Sequence, residues 1–149
     1  MTMMEYKSFS AADTCGLGRM MGENARPGDV YALIGDLGTG KTAFTRGFAE
    51  GMGIEDHVNS PTYTIVQVYD SGEIPLYHFD VYRIEDPDEM EETGFSDYIY
   101  GDGVCVIEWA DLIRELLPED AVIINFERDP AGDPDFRRIT VSGMDGGTE

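Results

Sequence analysis

Gly35-Asp36-Leu37-Gly38-Thr39-Gly40-Lys41-Thr42 decides the fold, because it meets the phosphate-binding pattern G-x-x-x-x-G-K-[ST] at every fixed position. The run before it, Val30-Tyr31-Ala32-Leu33-Ile34, is apolar and long enough for a buried strand. The run after it, Ala43 to Met52, puts Phe44, Phe48 and Met52 on one helical face, and Gly51 and Gly53 mark its end. Strand, glycine loop and helix in that order are the context the pattern requires. In such a loop, backbone N–H groups converge on a phosphate and the positive end of the following helix adds to their pull. Leu37, Gly38, Thr39 and Gly40 would form the cradle. Lys41 is expected to reach the β- and γ-phosphates, and the Thr42 hydroxyl to face Mg²⁺. A chance glycine-rich turn is the competing reading, and it leaves the lysine, the threonine and both flanks unexplained.

At 149 residues the chain reads as one domain, 1–149, able to bury roughly 70% of its unfolded surface, with a frayed tail from Gly143. No apolar run approaches the ~18–20 residues of a membrane span. Met1 to Phe9 lacks the basic-then-apolar pattern of a secretion signal, so a cytoplasmic protein is expected. Cys15 and Cys105 have no metal or redox spacing, and Cys105 reads as a buried thiol.

Charge narrows the partners. Thirty acidic against ten basic residues give a net charge of −20, with lysine only at positions 7 and 41. Autonomous binding to nucleic acid draws on clustered Lys and Arg, so it is not expected here. The acidic surface either keeps the protein soluble or docks a basic partner.

Along the chain, Met4 to Phe9 suggests an edge strand. Ser10 and Asp13 then start a helix whose apolar face would be Leu17, Met20, Met21 and Ala25. Pro27-Gly28-Asp29 is a turn into the strand before the loop. Arg46, in the helix after the loop, is expected to face solvent. Asn59-Ser60-Pro61-Thr62-Tyr63-Thr64 is a shaped, hydroxyl-rich entry to the strand Ile65 to Tyr69. Ser60 and Thr62 could sense a γ-phosphate there, or simply line a polar strand entrance.

Ile74 to Tyr82 reads as the returning strand of a hairpin. Asp80 within it needs partners, because a carboxylate in an aromatic strand is costly without them. Those partners could be Arg83 or His78, or Asp80 could orient a water or the shell of a metal. His78 reads as a hydrogen-bonded strand residue. Glu85 to Glu92 is an acidic, solvated helix starting near Pro87, without the glycine and alternation of a calcium loop.

Val104-Cys105-Val106-Ile107 is a buried strand that ends in Glu108, where phosphate-loop proteins place the acid facing Mg²⁺. On pattern Glu108 outranks Asp80 for that role. Trp109 is either core or a stacking residue near the site, and core is the commoner fate. Ala110 to Leu117 is a short helix, Ala121 to Phe126 a strand, and Phe136 to Ser142 the last strand. The fold class is therefore α/β, a phosphate-loop domain with a mixed, mostly parallel sheet, flanking helices and a β-hairpin.

Guanine-specific loop proteins usually read the base with an Asn/Thr-Lys-x-Asp motif, and no lysine follows Lys41, so ATP is favoured. The later arginines are scattered and form no basic lid, so hydrolysis is preferred over transfer to an acceptor. A small-molecule kinase and a nucleotide-dependent binding module are the alternatives.

The blocks Gly35 to Thr42, Thr45-Arg46-Gly47-Phe48, Ser60 to Thr64, His78-Phe79-Asp80-Val81-Tyr82-Arg83 and Ile107-Glu108-Trp109 together resemble the bacterial TsaE family, across roughly residues 10 to 142. The resemblance implies an ATPase of threonylcarbamoyladenosine (t6A) synthesis on tRNA adenosine 37. Such a protein works with TsaD and TsaB, which transfer the group, and meets tRNA only through them. It implies that Leu37 to Thr42 hold ATP, that Thr42 and Glu108 hold Mg²⁺, and that Asp80 is an essential switch aspartate. Lys41, Asp80 and Glu108 would be the catalytic set. Trp109 matches a family tryptophan near the site. Ala11 and an arginine of the last strand, Arg138, would contact the nucleoside. The chain departs from the family at Ala110, where relatives often carry proline.

Overall fold

The computed structural model of the chain describes residues 3–35, 39–56, 58 and 65–143. Its elements are β1 (Met3–Ser8), α1 (Ala11–Glu23), β2 (Val30–Gly35), α2 (Lys41–Gly51), β3 (Val66–Tyr69), β4 (Leu76–Asp80), α3 (Phe95–Ile99), β5 (Val104–Glu108), β6 (Val122–Arg128) and β7 (Arg137–Ser142). Two 3₁₀ helices, Pro87–Thr93 and Ala110–Leu116, flank α3 and β5.

The apolar run of β2 sits at the middle of a seven-stranded sheet, ordered β1-β7-β6-β2-β5-β4-β3. It pairs in parallel with β5 and with β6, and β4 continues the parallel set beside β5. Strands covered on both faces read as continuous apolar runs, which is why β2 and β5 lack alternation. At the edges the pairing turns antiparallel, β1 on β7 and β3 on β4, with β6 on β7 joining the halves. The sheet is thus mixed, as expected, and β3–β4 is the expected hairpin.

The two faces are covered differently. On one, α1 and α2 pack over Tyr31, Leu33, Val104, Val106, Ile124, Ile139 and Val141. Ser10 caps α1 by accepting from the Asp13 N–H at 3.1 Å, and the Asp13 carboxylate accepts from the Phe9 N–H at 2.9 Å. The expected row of methionines is not the seam, however: Met21 is buried but Met20 is 43% exposed. The seam is made of glycines. A Cβ on Gly18 or Gly22 would lie 2.1 Å from the carbonyl oxygen of Phe44 or Phe48. One on Gly47 or Gly51 would lie 1.9 or 2.2 Å from that of Cys15 or Arg19. The two helix backbones therefore touch, and each Gly-x-x-x-Gly pair is a steric requirement.

The opposite face is covered by the 3₁₀ helix Pro87–Thr93, α3 and the 3₁₀ helix Ala110–Leu116, which bring Met90, Phe95, Ile99 and Ile113 onto Phe79, Cys105 and Ile107. Asp86 caps the first of them in a reciprocal box with Glu89, and Gly94 ends it in a left-handed conformation at φ +80°. Leu112, expected on the apolar side of its helix, is 40% exposed. Apart from Gly143, the tail expected to fray lies outside the described residues.

Candidate phosphate-binding site

The site forms at the carboxyl ends of the parallel strands, where open α/β sheets bind ligands. β2 delivers Gly35 to this rim, and α2 begins there at Lys41 behind Gly40, whose φ of +98° requires glycine. Lys41 is 5% exposed. Its ammonium donates to the Gly35 carbonyl and lies over the Trp109 ring, 3.8 Å from the centroid. Thr39 is buried and Thr42, in the first turn of α2, is half-buried. Leu37 and Gly38 of the expected cradle lie outside the described residues.

Two carboxylates meet next to this lysine. Asp80 ends β4 and Glu108 ends β5, and the parallel register sets them directly opposite each other. Strand alternation turns both, with His78, toward the face that α2 covers, since Val104, Val106 and Leu76 belong to that core. Glu108 is 3% exposed and His78 fully buried, and Glu108 Oε2 lies 2.6 Å from His78 Nε2. Burial holds Asp80 above the usual carboxylate range. The Tyr82 N–H, donating to it at 3.0 Å, pulls the other way, the Glu108 charge adds to the rise, and His78 and Lys41 oppose it.

Asp80 therefore finds its partner in the Tyr82 backbone, where the sequence offered Arg83 or His78. The hydroxyl-rich stretch with Ser60 and Thr62 lies outside the described residues, but both of its flanks are tied to the site. Before it, the Val58 carbonyl accepts from Arg46 Nε at 3.0 Å; after it, the Ile65 carbonyl accepts from the Asp80 N–H at 2.9 Å. Arg46 is exposed as expected, and it also anchors that flank.

Trp109 is more than core. At φ +63° it is the non-glycine residue with left-handed backbone among the described residues, a conformation that costs on the order of 1–3 kcal/mol. Its ring contacts both the Lys41 ammonium and the Tyr82 ring, whose centroid lies 4.7 Å away. It also lines a cleft of about 430 Å³ with Gly35, Thr39, Asp111, Asn125 and Arg128, on the β6 side of the loop. The strain at Trp109 sits where the 3₁₀ helix begins at Ala110.

The nucleoside contacts divide. Ala11 begins α1 and is exposed near the rim, where Thr14 lies 3.5 Å from the position of a Cβ on Gly40. Arg138 is not brought to it. Ile139 and Val141 pack under α1 and α2, so Arg138 points to the other face and pairs with Glu5 at 3.7 Å. Alternation gives Arg137 to the α1 face instead. Sequence reasoning also passed over Tyr82 and the hydroxyl pair Ser8–Thr14, 2.7 Å apart. Neither carries a local signal.

At this rim one buried lysine and two carboxylates come together beside the start of α2. Among the described residues no group of three or more His, Cys, Asp or Glu could hold a metal ion by itself. Thr42 and Glu108 supply a hydroxyl and a carboxylate, the oxygen donors a hard cation takes when phosphates and waters complete its shell. Among the same residues no helix is long and apolar enough to cross a membrane.

Comparisons with known proteins point to one family. The sequence model of "Threonylcarbamoyl adenosine biosynthesis protein TsaE" matches residues 8–138. The Bacillus subtilis (strain 168) protein named for tRNA threonylcarbamoyladenosine biosynthesis, TsaE, is 47% identical over 144 residues, 97% of this chain and 88% of that one. Its counterpart from Treponema pallidum (strain Nichols) is 40% identical over 139 residues, 93% of this chain and all of that one. The crystal structure of Bacillus subtilis YdiB superposes with a TM-score of 0.77 at 40% identity, covering 94% of this chain and 84% of that one.

Proposed function

The chain belongs to the TsaE family of threonylcarbamoyl adenosine biosynthesis proteins, and from that premise we propose that it is a Mg²⁺-dependent ATPase required for t6A modification of tRNA. It acts with TsaD and TsaB in the cytoplasm, does not itself transfer the threonylcarbamoyl group, and meets tRNA through them. The observation that carries this reading is the meeting of Lys41, at the start of α2, with the register-paired Asp80 and Glu108.

Phosphoryl transfer to water needs positioning and charge stabilisation more than covalent chemistry. Lys41 would leave the Gly35 carbonyl and the Trp109 ring to meet the β- and γ-phosphates, a short movement within one rim. Thr42 and Glu108 would hold Mg²⁺, which when bound neutralises charge developing on the phosphates. Asp80, half-buried and held by the Tyr82 N–H, would orient the attacking water. Burial raises its pKa, which suits a group that must accept a proton during the step. The acidic surface, at −20, keeps the protein off free tRNA and leaves contact with it to the partners.

Phosphate release from ATP and GTP, with and without TsaD and TsaB, tests the activity. Mg²⁺-dependent release from ATP that falls about 10²- to 10³-fold in Lys41→Ala is expected. Undiminished release in Lys41→Ala, or phosphorylation of an added small-molecule acceptor in place of release, would overturn the reading.

A further inference from the structure

His78 is unused by the function so far, yet its placement is costly. It lies fully buried in β4 between Leu76 and Asp80, opposite Val106 of β5, and its neighbours on that face are largely apolar. Its Nε2 lies 2.6 Å from Glu108 Oε2, and its Nδ1 has no hydrogen-bond partner among the described residues. A carboxylate can only accept, so Nε2 carries the hydrogen and donates it. A ring with its one hydrogen on Nε2 would leave Nδ1 a bare acceptor and bury no orphaned donor. The imidazole is thus held by a single directed bond, and that bond ends on Glu108.

The consequence falls on Glu108. A glutamate has one torsion more to fix than the aspartate usual at the end of this strand in phosphate-loop proteins. Here Oε2 is occupied by His78, which fixes the side chain and leaves the other oxygen outside that bond. The neighbouring Asp80 carboxylate, directly opposite in register, pushes on that charge, so an unheld Glu108 would have reason to rotate away. We propose that His78 is a positioning residue that clamps Glu108 through Oε2, so that Oε1 alone is presented to Mg²⁺. This rests on the metal role given above to Glu108. Partners of metal-ligating groups behave in this way generally, and their loss weakens metal binding without touching the metal.

The test measures affinity for a non-hydrolysable ATP analogue across a Mg²⁺ titration and in EDTA, for the wild type, His78→Gln and His78→Asn. Gln carries an amide N–H at about the reach of Nε2, whereas Asn is too short to meet Oε2. The Mg²⁺ concentration at half-effect is expected to rise about tenfold or more in His78→Asn and to stay within about twofold of wild type in His78→Gln. Affinity in EDTA is expected to be the same in all three. Equal Mg²⁺ requirements in the two variants, or an equal loss with and without Mg²⁺, would overturn the assignment. So would loss of a cooperative melt in His78→Asn, because the pair would then be holding the sheet and not the carboxylate. A wild type whose affinity for the analogue ignores Mg²⁺ would instead overturn the metal role of Glu108, and this inference with it.

Discussion

The two faces of the sheet are closed by opposite means. Over one, α1 and α2 press backbone to backbone because Gly18, Gly22, Gly47 and Gly51 leave nothing between them. Over the other, 3₁₀ turns and the five-residue α3 lay Met90, Phe95, Ile99 and Ile113 against the sheet. The helix seam of the first face has no room for an added methyl; the second face depends on the bulk of its side chains. The site draws on both. Lys41 comes from the start of α2, on the tightly packed face, and Trp109 and Tyr82 come from the rim of the face closed by short turns.

That contrast can be broken by substitution. Met90→Ala deletes a side chain only 1% exposed and is expected to cost about 3 kcal/mol, read from urea unfolding. Gly47→Ala adds one methyl against the Cys15 carbonyl and is expected to cost about 2 kcal/mol, although Gly to Ala ordinarily favours a helix. Gly16, two residues before Gly18 and so on the other side of α1, has nothing within 4 Å of an added Cβ. Gly16→Ala is therefore expected to stabilise by about 0.5–1 kcal/mol. A stabilising Gly47→Ala would mean that the helices are not in backbone contact.

A smaller effect sharpens the link between packing and chemistry. Burial raises the pKa of Asp80 in the folded state, so the fold binds more protons than the unfolded chain between the ordinary aspartate value and the raised one. Stability accordingly falls as the pH rises through that window. Asp80→Asn removes the penalty and is expected to raise the Tm at neutral pH while abolishing hydrolysis. The gain should shrink as the pH falls toward the ordinary aspartate range. A lower Tm at neutral pH would show that the Asp80 charge is stabilising in the fold.

Much of this is legible in the sequence. The strand, loop and helix around Lys41 carry a local signature, as do the Ser10 cap and the apolar run ending in Glu108. What escaped was tertiary. The glycine spacing in α1 and α2 is visible, but only packing shows that it displaces the methionine row, so Met20 turned outward unannounced. The alternation of β7 separates Arg138 from Ile139, yet which face α1 would cover is not written in β7 itself. The left-handed backbone of Trp109 has no local signal, and the contacts of its ring, with Lys41 and with Tyr82, join distant parts of the chain.

The most direct test of the central claim is t6A formation on unmodified tRNA by purified TsaD and TsaB supplied with an activated threonylcarbamoyl donor, followed beyond one turnover with ATP and Mg²⁺. Addition of this protein is expected to carry the reaction through many turnovers, and Lys41→Ala is expected to leave it at the level of TsaD and TsaB alone. Equal product with the wild type, with Lys41→Ala and with neither would contradict the account.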